Sequence, residues 1–268
     1  MNTAVAATSD TRPAVAKLRL VALSKSYPPG ADGGIGAGVS GIDLTVVSGE
    51  IVTIVGRSGC GKTTLLNCVA GLTPYDGGSV EIDGRQIGGP DPNRAVVFQH
   101  ASLLPWRTAQ RNVLYGLELQ RQLPKAEMRR RAEWALRLVG LQDASEHYPS
   151  QMSGGMQQRV NLARALATSA SVLLMDEPFG ALDALTKAEM QQELKQITTE
   201  AQQTIIFITH DIDEAVYLGD RVVVMGGTPG RIQRVIDVPF PRTRQLELKK
   251  TPEFQSICDD LWQLLKSP

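Results

Sequence analysis

A chain of 268 residues suits one large domain or two small ones, and its 28 Lys plus Arg balance 28 Asp plus Glu. The even balance removes the electrostatic argument for a dedicated binder of nucleic acid or anionic membrane, so no nucleic-acid partner is expected and any anion site must be local. The three cysteines, Cys60, Cys68 and Cys258, suggest neither a disulfide framework nor a zinc site and favour a reducing compartment. No apolar run approaches the ~18 residues of a membrane span, and the N-terminus lacks a basic start followed by an apolar core. The polypeptide is therefore expected to be soluble by itself, and work at a membrane would need a partner to bring it there.

In chain order, residues 1–15 are small and polar and read as a disordered leader. "PPGADGGIGAGVSG", Pro28 to Gly41, is a Gly-rich turn region between two short strand patterns. Compact apolar runs follow: "IVTIV" at 51–55, "SVLLM" at 171–175, "TIIFI" at 204–208 and "RVVVM" at 221–225. Continuous Val/Ile/Leu runs without alternation are the pattern of buried parallel strands, and helical segments between them carry the chain back for the next strand. The fold class is thus α/β with a mostly parallel sheet.

The stretch from about 100 to 165 has no strong strand and reads as a helical insertion. Within it, "PKAEMRRRAEWALRLVGL" places Met128, Ala132, Ala135, Leu136 and Val139 on one stripe. Arg129, Arg130 and Arg131 are left largely to solvent, as a solvated face and not a nucleic-acid patch. "TPGRIQ" after the last apolar run predicts a hairpin turn. A C-terminal helical extension over 241–268 contains "TPEFQSICDDLWQLLK", with Thr251 as N-cap, Pro252 at the first helical position and a packing stripe of Phe254, Ile257, Cys258, Leu261 and Leu265.

"GRSGCGKTT" follows the first apolar strand and precedes a helical pattern, the context a phosphate-binding loop requires. Gly56, Gly59 and Gly61 let the backbone N–H groups of Arg57, Ser58, Cys60, Thr63 and Thr64 curl around phosphate oxygens, aided by the helix N-terminus. Lys62 should reach the β- and γ-phosphates, and Thr63 should ligate Mg²⁺. Cys60 is either a small loop filler or a thiol activated by Lys62 and the helix N-terminus. "SVLLMDEP" ends a strand in two carboxylates, at the edge where open α/β sheets bind ligands. Asp176 is placed to hold Mg²⁺ and Glu177 to polarise an attacking water. His210 ends "TIIFITH" in the same way, where an imidazole can meet a γ-phosphate; His100 and His147 lack such placement.

These motifs in this order resemble the ATP-binding subunit of an ABC transporter, over nearly the whole chain. "MSGGMQQR", with Ser153, Gly154 and Gly155, is similar to the family's signature motif; "VVFQ" to its Q-loop with Gln99; "GALD" to its D-loop with Asp183; and Tyr27 of "SKSYPP" to its adenine-stacking aromatic. Met152, Met156 and Arg57 stand where Leu, Gln and Pro are frequent.

The resemblance implies a P-loop NTPase core over residues 16–240, with an antiparallel β part at the N-terminus and a helical subdomain at about 100–165. It implies ATP and Mg²⁺ as cofactors, Gln99 joining Thr63 and Asp176 at the metal, and Glu177, His210, Gln99 and Lys62 as the catalytic set. It also implies a head-to-tail homodimer in which Ser153 and Gly155 cap the nucleotide of the second copy. Transmembrane permease subunits, and indirectly a periplasmic substrate-binding protein, become partners at the cytoplasmic face of a bacterial inner membrane. "LLPWRT" after the Q-loop resembles importers of taurine, aliphatic sulfonates and nitrate, and "PYDGG" tilts the reading toward taurine. A soluble ABC ATPase and a small-molecule P-loop kinase are the alternatives; Glu177, the signature motif and the D-loop oppose the kinase.

Overall fold

The structure, a computed structural model, describes residues 16–28, 38–121, 123–168 and 170–266. The leader expected over 1–15 and most of the Gly-rich turn region, residues 29–37, lie outside the described residues.

β1 (Ala16–Lys25) and β2 (Val39–Val47) pair antiparallel, with Leu20 opposite Leu44. β2 alternates buried and exposed positions, as a strand with one face in a core must. β3 (Ile51–Gly56) is buried along its length up to Gly56 and leads through the glycine loop into α1 (Lys62–Ala70). β4 (Gly77–Ile82) and β5 (Arg85–Gln86) rejoin the first sheet, whereas β6 (Arg94–Val97) enters the second. α2 (Ala109–Gln120), α3 (Lys125–Leu138) and α4 (Gly154–Ala167) then fill the stretch where no strand was expected.

Strand and helix alternate afterwards: β7 (Val172–Asp176), α5 (Ala184–Glu200), β8 (Thr204–Ile208), α6 (Ile212–Leu218) and β9 (Arg221–Gly226). β10 (Arg231–Asp237) turns back on β9 as the expected hairpin, and α7 (Pro252–Lys266) closes the chain. The hydroxyl of Thr251 accepts from the Phe254 N–H at 3.3 Å, which is the cap read from the sequence.

Among the described residues the strands form two sheets, β2-β1-β4-β5 and β10-β9-β3-β8-β7-β6. The first is antiparallel, and the second is parallel except at the β10 edge. Side chains on a strand alternate between faces. Leu173, Met175, Ile205 and Phe207 therefore face α2, α3, α4, α6 and α7, while Val172, Leu174, Ile206 and Ile208 face α1 and the first sheet. Each such fully buried side chain contributes about 1.5–3 kcal/mol relative to exposure. Because β3, β7 and β8 run parallel, the glycine loop, Asp176 and His210 all emerge at one edge of the sheet.

The C-terminal segment is fastened to this core by polar contacts as well as by packing. Arg244 is buried and donates to the carbonyls of Val216, Tyr217 and Gly219 at 2.8–2.9 Å, which supplies partners for the open end of α6. Phe254, Cys258 and Leu261 of α7 are buried, with Ile257 and Leu265 packed at the margin.

Candidate functional site

The glycine loop leaves β3 and turns sharply into α1. Gly61 has a left-handed φ of 89°, and a Cβ there would lie 2.5 Å from the Gly38 carbonyl, so only glycine fits the approach. A second close approach supports the loop from behind: a Cβ on Gly230, in the β9–β10 turn, would fall 1.8 Å from the Cys60 carbonyl. Gly230 N–H donates to Gly38 O at 2.8 Å and its carbonyl accepts from Ser40 N–H at 2.9 Å, tying the two sheets together beneath the loop.

Lys62 is the first residue of α1, and its ammonium folds back to donate to the carbonyls of Gly56 at 2.8 Å and Arg57 at 3.1 Å. Thr63 Oγ1 donates to Asp176 Oδ2 at 2.8 Å. Asp176 ends β7 and is 6% exposed; burial pushes its carboxyl pKa up, and Glu177 adds to this against the opposing Thr63 hydroxyl and Lys62. Glu177 itself takes a left-handed φ of 46°, and its N–H donates to Ile208 O at 3.0 Å. A side chain tolerates that backbone only where its surroundings hold it. Here Glu177 Oε2 accepts from Gln99 Nε2 at 3.0 Å and lies 3.3 Å from His210 Nδ1.

A cavity of about 510 Å³ opens between these groups. Gly56, Ser58, Gly59, Gly61, Lys62, Thr63 and Thr64 line the loop side, and Gln99, Glu177 and His210 face them across it. Loop amides, one ammonium and a carboxylate held by two neighbours suit a polyphosphate and an attacking water. The oxygens of Thr63 and Asp176 are the hard donors that a small divalent cation prefers. No group of three or more His, Cys, Asp or Glu side chains placed to hold a metal occurs among the described residues.

Other expected residues lie elsewhere. Tyr27 is 39% exposed past the end of β1, with the Lys25 ammonium 5.5 Å from its ring centre. Ser153 caps α4 by accepting from Met156 N–H at 3.2 Å, and Asp183 caps α5 by accepting from Thr186 N–H at 3.0 Å. Gly155 packs beside Ala181 and Leu182, so the signature and D-loop segments are neighbours with exposed residues, and neither lines the cavity. His100 and His147 do not line the cavity.

Two placements add to the sequence reading. The Arg57 side chain does not face the cavity; its guanidinium donates to Leu265 O at 3.0 Å and Lys266 O at 2.8 Å, because the end of α7 offers it unpaired carbonyls. Cys60 is buried at 3% exposure under the loop, against the strand side, and this favours the filler over the activated thiol. A contact that sequence reasoning missed surrounds the base of Tyr27. Asp76 accepts from Lys25 Nζ at 2.8 Å, Ser26 N–H at 2.6 Å and Ser26 Oγ at 2.8 Å. Lys187 was also missed: it meets Asp211 at 2.8 Å, beside His210, and so links α5 to α6.

A strand, glycine loop and helix that cradle phosphate, with a buried carboxylate behind the loop and a second carboxylate one residue on, define a P-loop nucleoside triphosphatase. Residues 39–180 match the family described as ABC transporter, and the chain belongs to that family; it is an ABC ATPase. The nitrate import ATP-binding protein NrtD of Synechococcus elongatus is 48% identical, over 78% of this chain and 77% of that protein. The bicarbonate transport ATP-binding protein CmpC of the same organism is 44% identical over 89% of this chain, which spans 36% of that longer protein. Among solved structures, the ATP-binding cassette MJ0796, a dimer in a post-hydrolysis state bound to ADP and Pi, is 31% identical with a TM-score of 0.73, covering 84% of this chain and 100% of that chain. The α/β P-loop fold with mostly parallel sheet, antiparallel sheet and helical insertion is that of the ABC ATPases.

Proposed function

We propose that the chain is the ATP-hydrolysing subunit of a bacterial importer and that two copies, arranged head to tail, drive a transmembrane permease. The single observation that carries the hydrolytic part is the placement of Glu177 Oε2 between Gln99 and His210, across the cavity from Lys62. Glu177 accepts the proton of a water whose oxygen bonds to the γ-phosphorus as the bond to the β–γ bridging oxygen breaks; ADP and phosphate leave. Gln99 orients the carboxylate, and His210 meets the charge that develops on the γ-phosphoryl oxygens. Lys62 exchanges the Gly56 and Arg57 carbonyls for phosphate oxygens. Thr63, Asp176 and Gln99 would hold Mg²⁺, which when bound neutralises phosphate charge. Tyr27 is assigned to adenine, and the exposed Ser153, Gly154, Gly155 and Asp183 to the nucleotide held by the second copy. That the MJ0796 cassette is a dimer supports the pairing of two copies.

No helix among the described residues is long and apolar enough to cross a membrane, so membrane work is assigned to permease subunits docked near Gln99 and the helical subdomain. The proposed position is peripheral, on the cytoplasmic side of the inner membrane, with a periplasmic binding protein acting indirectly. The cargo is proposed to be a small oxyanion, on the names of the nitrate and bicarbonate relatives; those names lend no support to the taurine reading. The test is ATPase activity of the chain copurified with its permease in vesicles, with the binding protein and nitrate, bicarbonate or taurine supplied in turn. Stimulation by one of the first two is expected. Stimulation by taurine alone would reverse the cargo assignment, and turnover indifferent to permease and solute would favour a soluble ABC ATPase.

A further inference from the structure

Arg57 sits in the second position of the phosphate loop, yet its guanidinium grips the last carbonyls of a helix that arrives at the other end of the chain. It donates to Leu265 O at 3.0 Å through Nε and to Lys266 O at 2.8 Å through Nη2. The last carbonyls of a helix have no partner within it, and they form the negative end of the helix dipole, so a two-pronged cation is the complementary group. The backbone of the same residue belongs to the site: Arg57 O accepts from Lys62 Nζ at 3.1 Å.

The part of the loop that faces the end of α7 borders open space. A second cavity, of about 300 Å³, lies between the loop, the β9–β10 turn and the end of α7, with Arg57, Cys60, Gln233 and Leu265 among its walls. The Gly230 backbone packs beneath Cys60, whereas across the cavity the Arg57 fork is what joins the loop to the end of α7. α7 itself is held by Phe254, Cys258 and Leu261, which are buried, and by stacking of Phe254 on Phe240 at 6.0 Å. It packs on α6 and β9, and α6 starts directly after His210 and Asp211. One helix therefore touches the phosphate loop at its end and the His210 helix along its side.

We infer that Arg57 is a positioning residue: its tether to α7 sets the orientation of the phosphate loop, so that nucleotide affinity depends on the last turn of the C-terminal helix. The inference rests on the loop binding ATP. The experiment measures the affinity of the full-length chain for the fluorescent analogue TNP-ATP, with thermal melting in parallel, for the unaltered chain, Arg57→Ala, Arg57→Lys, a chain ended at Leu264, and the double variant. Arg57→Ala and the shortened chain should each weaken binding roughly threefold to tenfold, a modest share of what contacting residues contribute to each other. The double variant should be no weaker than the worse single one. Arg57→Lys keeps the charge but not the fork and should fall between Arg57→Ala and the unaltered chain. Unchanged affinity in Arg57→Ala, whatever its melting temperature, would overturn the inference, as would additive losses in the double variant. Failure of the unaltered chain to bind the analogue would instead strike at the nucleotide reading itself.

Discussion

Gln99 Nε2 donates to Glu177 Oε2 at 3.0 Å, although the two residues come from different strand ends of the sheet. The contact holds the carboxylate at the wall of the cavity. Glu177→Gln keeps the shape and cannot take up a proton. It should bind ATP as the unaltered chain does and lose about 10²–10⁴ in turnover, read by steady-state ATPase assays of the assembled transporter. Near-normal turnover would remove Glu177 from the mechanism.

The exposed signature segment predicts complementation between chains. Lys62→Ala disables a chain's own loop, and Ser153→Arg disables the surface offered to its partner, so each homodimer should be inactive. Mixed dimers regain one whole site, assembled from the Lys62 of one chain and the Ser153 of the other. Partial recovery of ATPase activity on mixing, with an ATP-dependent crosslink between cysteines placed in the loop of one chain and the signature of the other, is the expected result. Neither recovery nor crosslink would sink the shared-site assignment.

Asp76 carries a pH prediction. The hydrogen bond from Lys25, then those from Ser26, hold its carboxyl well below the usual range, at about 2 instead of 3.8. A carboxylate with a depressed folded-state pKa contributes stability that is complete above the unfolded value and fades as pH falls toward the folded one. The stability gap between the unaltered chain and Asp76→Asn, measured by urea unfolding, should thus be constant above about pH 5 and narrow by about pH 3. Asp76→Asn also loosens the Ser26 backbone next to Tyr27, so its KM for ATP should rise.

Burial of Cys60 favours the filler over the activated thiol. Maleimide should label it far more slowly in the folded chain than in urea, with or without nucleotide, as followed by mass spectrometry of the loop peptide. Rapid labelling of the folded protein that Mg-ATP prevents would restore the activated thiol.

The contrast between Cys60 and Asp176 marks what could be read from residues alone. Strands β3, β7, β8 and β9 were legible because burial on both faces leaves a continuous apolar run. β6 has only four residues at the sheet edge, too few for periodicity to register. Asp176, Glu177 and His210 were legible because strand ends position ligand groups whatever the rest of the chain does. The direction of Arg57 was not, since it depends on carbonyls supplied by Leu265 and Lys266. The electrostatics around Cys60 pointed to reactivity, and only packing decides access. Ser153 and Asp183 act within the chain as caps of α4 and α5, and resemblance singled them out where local chemistry did not.

Gly230 falls outside every nucleotide motif, in a hairpin turn, and yet the Cys60 carbonyl occupies the space its side chain would need. In a genetic screen for loss of ATPase activity, alleles at this codon should sort with those of the phosphate loop and apart from those of neighbouring hairpin codons. Suppressors of such alleles should be sought at Gly38 and Ser40, whose backbones share the same knot.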